Sequence, residues 1–462
     1  MNYLIYFLFV FFGQYADSKI IYPLYLFLVL HEFLKHRKLT KDFLIAATIY
    51  SIILPDNYST ELIFLLYFLF TIIFKKDLLK IRKSKYNILF LFFIGEILIS
   101  TVLNSVPIIN IFFAILGLLP LFIFLCLAND TKNIQIQELN NYIDVVFFIE
   151  TIATIINFVL YYRPGYDDWS RGTLASTGGQ QSQLFVISSY LLIFYLSRYI
   201  NRRERRFLFK AIVMSLIIFS TNCWTLLLML LIGTGIGYLL TLSRKKLLIF
   251  FIILIMSPAM IKIGYSALPE TVKVVGGRLL SDPAYFSYRL HKAEVYKETF
   301  VEIPNQDLKF FLLGNGMGYY NSRGALICTG KYTNFYNKLF QPSISQYTED
   351  YILDYLTLAY NDGSSDFGSV LARPYSSILA LMGEGGYIGC FLFLGLITLL
   401  LKRKPNGVIY LIIIWLFFCL VENYFEYTKV IIALYVCIAS IQYNVDVKKT
   451  RNIKSQEQIY DK

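Results

Sequence analysis

Six arginines, Arg163, Arg171, Arg278, Arg289, Arg323 and Arg373, stand in polar connections of a chain that is otherwise strongly apolar. An arginine is permanently charged and offers a planar fork of N–H donors that fits phosphate oxygens two at a time. Several converging on one spot would make an anion site, one able to stabilise a diphosphate as it leaves. The complementary need is a proton acceptor. Glu384 follows Arg373 by eleven positions, within or beside a long apolar run. A carboxylate there is costly, and is a functional candidate by default. With an arginine to compensate its charge, it suits general-base work near neutral pH. His291 is the other candidate base, since histidine titrates in the right range. Plainer readings stand beside these. The arginines could snorkel or pair with Asp167, Asp168 and Asp366, Glu384 could only fix a helix through an arginine, and a lone loop histidine is more often just solvated.

The elements that must hold these residues follow from composition. The chain has 462 residues, 56% of them hydrophobic and 17% aromatic, and only 16% charged. Soluble domains carry about 25% charged residues. Apolar stretches of spanning length recur, for example 87–103, 108–127, 184–196, 226–242 and 247–263. A span needs roughly 20 such residues, which makes this a polytopic membrane protein. The first run, "NYLIYFLFVFFG", lacks a basic leader and a small-residue cleavage site, so it reads as a retained span.

Orientation comes from charge. Basic residues gather in "KHRKLTK", "KKDLLKIRKSK", "RYINRRERR", "SRKK", "KRK" and the tail from Lys448. The alternating connections, at 55–59, 104–107, 221–222 and 427–428, are nearly free of them. The positive-inside rule places the basic set in the cytoplasm, with about fourteen spans and both termini inside. The expected fold is therefore an all-α polytopic membrane protein with one large, partly helical extracytoplasmic loop. It divides into a transmembrane bundle at 1–263, the exported loop domain at 264–374, further transmembrane helices at 375–445 and a cytoplasmic tail at 446–462. In the exported loop, "YRLHKAEVYKETFVEI" and "QYTEDYILDYLTLAY" read as amphipathic helices, with "LGNGMGYYNSRG" and "NDGSSDFGS" as loops.

Other chemistries are disfavoured. The net charge of +12 has no basic soluble domain to carry nucleic acid. His31, His36 and His291 have no metal-ligand spacing, and one adjacent pair, Asp167 and Asp168, is weak evidence for a cation. No cofactor is expected. Five of six cysteines lie in or beside apolar runs, so no disulfide framework is implied. There is no phosphate-binding P-loop to couple ATP. Gly314, Gly316 and Gly318 could let the backbone approach a phosphate or sugar, or could form a plain tight turn. Tyr375, Tyr285 and Trp169 could stack on sugars, although such rings also collect at bilayer interfaces without binding anything. Glu96, Glu150 and Glu422 are further polar residues in apolar surroundings that could simply bond between helices.

Three blocks carry a resemblance. "SRGTLASTGGQQSQ" before a span resembles the Arg-Gly-Thr/Ser segment of the O-antigen polymerase and O-antigen ligase superfamily. "SYRLHKAEVYKETF" followed by "FFLLGNGMGYY" resembles its arginine-led helix and glycine loop. "RPYSSILALMGEGGYIGCFLFLGL" resembles the block that returns to the membrane. These blocks run in the same order across about 163–396.

The resemblance implies a membrane glycosyltransferase at the outer face of the bacterial inner membrane. It would pass a growing glycan from undecaprenyl pyrophosphate to another lipid-linked repeat unit, without metal, in contact with membrane lipids and with a chain-length regulator as partner. By the same resemblance Arg171, Arg289 and Arg373 bind pyrophosphate, with Arg163 and Arg278 as neighbours. Ligases usually carry a histidine after the exported loop. Here "ARPYSS" offers Arg373 instead, which favours a polymerase over a ligase. A flippase for lipid-linked oligosaccharide is the third reading, disfavoured by the absence of repeat symmetry and by the long loop.

Overall fold

A computed structural model describes residues 84–128, 136–162, 170–174, 180–241, 291–332, 336–361, 373–402 and 404–442. The expected spans before residue 84, the span at 247–263 and the cytoplasmic tail lie outside the described residues. Among the described residues the regular structure is helical, with no strand. Five helices are long and apolar enough to cross a membrane, and three shorter apolar helices accompany them.

The bundle comprises α1 (Lys85–Leu103), α2 (Ile108–Ala128), α3 (Ile136–Tyr161), α4 (Gln180–Arg202), α5 (Arg205–Ser220) and α6 (Trp224–Thr241). The Ser84 hydroxyl caps α1 by accepting the Asn87 N–H at 3.1 Å. Past the turn after Leu103, Pro107 leads into α2, where a missing N–H costs nothing. The segment expected to be exported supplies α7 (His291–Lys297), which runs through a wide turn at Glu298–Glu302 into Ile303–Gln306. It continues with α8 (Leu308–Leu313), α9 (Arg323–Cys328) and α10 (Asp354–Asn361), the last preceded by helical turns from Gln346. The chain then returns through α11 (Ser377–Leu401), α12 (Asn406–Cys419) and a final apolar helix α13 (Thr428–Gln442).

Packing follows side-chain size and polarity. The inner face of the bundle is a single apolar core, including Phe93, Phe124, Phe185, Phe393, Trp415 and Phe418. Gly233 and Gly237 on α6 let α12 approach closely. A Cβ on Gly233 would lie 3.1 Å from the Ile414 Cα, which is how helices pack where lipid is as apolar as leucine. Outward, Phe92, Ile99, Leu231, Phe391 and Leu394 are exposed. A polar solvent would penalise such faces, whereas a bilayer accepts them.

The short helices between His291 and Asn361 sit on one end of this bundle. α8 packs on α11 and α1, and α9 packs on α2. The contacts fall at the C-terminal end of α1, the N-terminal end of α2 and the N-terminal half of α11. The arginine-rich turn at 202–206 joins the far ends of α4 and α5. The two helices read from "YRLHKAEVYKETFVEI" and "QYTEDYILDYLTLAY" are present from His291 and from Gln346. The loop "NDGSSDFGS" is outside the described residues beyond Asn361.

Candidate functional site

The glycine loop and Glu384 form one structural unit. Glu384 is buried on α11, and its carboxylate accepts backbone N–H bonds from Gly318 at 2.7 Å, Ser322 at 2.9 Å and Tyr320 at 3.4 Å. Its own carbonyl accepts the Gly316 N–H at 3.1 Å, and the Gly383 carbonyl accepts the Asn315 N–H at 2.8 Å. From the bundle, Asn110 Nδ2 donates to the Gly318 carbonyl at 2.8 Å, and Ser100 Oγ donates to the Leu313 carbonyl at 2.6 Å. The carboxylate thus supplies acceptors that a buried, non-helical loop cannot provide for itself.

The glycines serve the same join. Gly314 and Gly318 have φ of 67° and 77°, in the left-handed region. A Cβ on Gly314 would lie 2.6 Å from the Glu384 carbonyl carbon, and one on Gly318 would lie 2.5 Å from the Asn110 carbonyl oxygen. Gly316 is likewise left-handed, against Thr101. Of the two readings open in the sequence, the geometry is that of a tight turn packed on helices. A cavity of about 40 Å³ beside it is lined by apolar side chains with Glu384 and Glu426 in its wall. It has room for water rather than for a sugar.

A second group of charges gathers where α7 meets the turn between α12 and α13, "VENYFEYTK". Lys292, buried on α7, donates from Nζ to the Tyr375 carbonyl at 2.9 Å and to the Val421 carbonyl. Arg373 and the Glu422 carboxylate lie within its electrostatic reach. Burial pulls the Lys292 ammonium down to about 7, with Glu422 opposing that shift and Arg373 adding to it. Burial pushes the Glu422 carboxyl up, and Lys292 and Arg373 draw it back. The backbone around this pair is closely tied. Ser377 donates from its N–H and its hydroxyl to the Glu422 carbonyl, both at 3.2 Å. Tyr296 Oη donates to the Leu420 carbonyl at 2.8 Å, and Asn321 Nδ2 donates to the Pro374 carbonyl at 2.9 Å. Arg323 belongs to the same neighbourhood. Its N–H donates to Glu426 Oε1 at 2.8 Å, and its guanidinium lies 5.5 Å from the Tyr427 ring centre.

The Arg171 segment reaches this turn through α3. Glu150 is buried and accepts the Thr173 N–H at 3.0 Å and the Thr173 hydroxyl at 2.5 Å. Asn157 Nδ2 fastens the Gly172 carbonyl at 2.9 Å. Lys429, on the far side of that turn, acts electrostatically on Glu150. Arg171 is half-buried beside these bonds.

The sequence candidates therefore divide. Arg373 and Tyr375 enter the charged group, and Arg171 borders it. The Tyr375 ring is buried edge-on against Tyr332, their centres 6.0 Å apart, rather than turned outward. His291 packs on Tyr355 with ring centres 5.3 Å apart, and its Nδ1 lies 3.9 Å from Glu294. That pair stands in an acidic group where burial, with Glu302 and Glu294, pushes Glu298 up to about 7. Arg163, Arg278 and Arg289 lie outside the described residues. Lys292, Glu426 and Lys429 were missed. A visible signal existed for two of them, since "VENYFEYTK" carries two glutamates four positions apart and a lysine within nine residues between apolar runs. Among the described residues no three His, Cys, Asp or Glu side chains converge as a metal site requires.

These features define the class as a helical protein with membrane-spanning helices, in which the short helices between His291 and Asn361 meet the bundle at a buried cluster of mixed charge. No family model, curated protein or solved structure matches the chain.

Proposed function

We propose that the chain is a membrane glycosyltransferase that polymerises undecaprenyl-pyrophosphate-linked repeat units into surface polysaccharide. It works at the outer face of the bacterial inner membrane, with both termini in the cytoplasm. The observation that carries this reading is the gathering of Arg373, Lys292 and Glu422 where the exported helices close on the bundle, at the end away from the basic 202–206 turn. Cations held at that boundary suit the diphosphate of a lipid-linked donor, whose prenyl chain stays in the bilayer while its sugar projects outward. By the sequence resemblance Arg171 and Arg289 would share in binding the diphosphate, with Arg163 and Arg278 as further candidates; Arg163, Arg278 and Arg289 lie outside the described residues. The cations need no metal to stabilise the leaving diphosphate. A ligase would share this donor site and differ in its acceptor. The absence of a histidine around Arg373 favours the polymerase, and a flippase is the third reading.

Deleting the gene tests the choice. A polymerase deletion leaves cells with a single repeat unit on the final acceptor, read as one glycan band on a gel. Unmodified acceptor together with long polymer stranded on the lipid carrier would mean ligation instead.

A further inference from the structure

Glycosyl transfer to a hydroxyl needs a group to take the hydroxyl proton, and the two bases suggested by sequence are both engaged elsewhere. Glu384 has both carboxylate oxygens on backbone N–H groups of the glycine loop. A carboxylate that gained a proton there would lose acceptors that three buried donors require. His291 stands against Tyr355 and Glu294, in the acidic group on the exported helices.

Glu422 differs on each count. It is buried, 2% exposed, in the turn that faces Arg373 and Lys292. Its Oε1 has no hydrogen-bond partner among the described residues, and its carboxylate draws on one backbone N–H, that of its neighbour Asn423, where Glu384 serves three donors of another segment. Its main chain is fixed through the carbonyl that accepts from Ser377, so the side chain is not what holds the turn in place. The charged and titratable groups around it come from three elements: Lys292 on α7, Arg373 in the segment before α11, and Tyr424 and Tyr427 on its own turn.

Resting on the polymerase reading above, we propose that Glu422 is the general base that takes the acceptor hydroxyl proton, beside the cations that hold the leaving diphosphate. The acceptor oxygen bonds to the anomeric carbon as that carbon's bond to the diphosphate oxygen breaks. The hydroxyl proton passes to a Glu422 oxygen, and the bonding pair leaves with the diphosphate, whose charge Arg373 and Lys292 offset. Glu422 then returns the proton to solvent or to the departing diphosphate. Its surroundings agree with this use, since burial raises the carboxyl above its ordinary value and the Lys292 and Arg373 cations draw it back.

The test uses the full chain in lipid nanodiscs, supplied with lipid-linked repeat units extracted from a strain lacking this gene. Glu422→Gln should slow elongation by roughly 10²-fold or more, the range for loss of a general base, while retention of the lipid-linked donor stays near wild type. The acid limb of the pH–rate profile, which reports an ionising base, should vanish in that variant. Glu422→Asp should keep the limb at a displaced pH, and it decides the matter if the glutamine variant fails to fold. Wild-type elongation by Glu422→Gln, or an acid limb unchanged in both variants, would overturn the assignment while leaving the polymerase reading intact. Failure of the wild-type protein to elongate would remove both.

Discussion

Arg373→Ala is expected to lower elongation by roughly 10²–10³-fold, the usual consequence of removing a group that stabilises developing negative charge. Arg373 is half-buried, immediately before Pro374, whose carbonyl is held by Asn321. The backbone that presents it is therefore fixed from the loop side, and removing the guanidinium should leave the fold intact. Arg373→Lys should recover little, because an ammonium supplies a point charge without the two parallel donors that match a diphosphate. Polymer length on gels and retention of the lipid-linked donor by purified protein read the two effects separately. Full-length polymer from the lysine variant would show that only charge matters at this position. Full-length polymer from the alanine variant would remove Arg373 from the donor site.

Glu384→Ala is expected to fail differently, through loss of folded protein. It would strip the acceptors from the N–H groups of Gly318, Tyr320 and Ser322 in a buried loop. Each such donor left unpaired costs about 1–3 kcal/mol, so the sum is a large part of a domain's stability. Glu384→Gln keeps one acceptor oxygen but turns an amide NH₂ toward donors, so it should also lower the thermal midpoint in detergent. Were Glu384 the general base considered from the sequence, its glutamine variant would bind donor and elongate slowly. The hydrogen bonds favour loss of donor binding and elongation together, in step with loss of folded protein. A stable, donor-binding and slow Glu384→Gln protein would return Glu384 to the chemistry.

Helical spans and the amphipathic helices after His291 were legible because each is a local pattern. Apolar length marks α1, α4, α6 and α11, and amphipathic spacing marks α7 and the helix from Gln346. Arg373 stood out in the sequence as a cation in a connection where the charge pattern expects few. What surrounds it was not. Lys292 looked like one charge among several on an amphipathic helix, yet it donates across 83 and 129 positions to the Tyr375 and Val421 carbonyls. Such pairings depend on how helices meet, and no window of sequence contains both ends. Glu384 shows the converse. An isolated carboxylate in an apolar run announces that something needs it, but only the approach of the glycine loop reveals three backbone donors there. Charge bookkeeping used the turn at 427–428 as a marker of sidedness, and so passed over Glu426 and Lys429 and read Glu422 only as a residue that could bond between helices.

The most direct measurement supplies the purified chain, alone in nanodiscs, with lipid-linked repeat units and follows both products together. Glycan ladders should lengthen on the lipid carrier, and one undecaprenyl pyrophosphate should be released for each repeat unit joined. The reaction should proceed with chelator present and without nucleotide. Unchanged single repeat units would contradict the polymerase reading, as would transfer only when a lipid A core acceptor is added, or movement of the lipid across the bilayer with no bond formed.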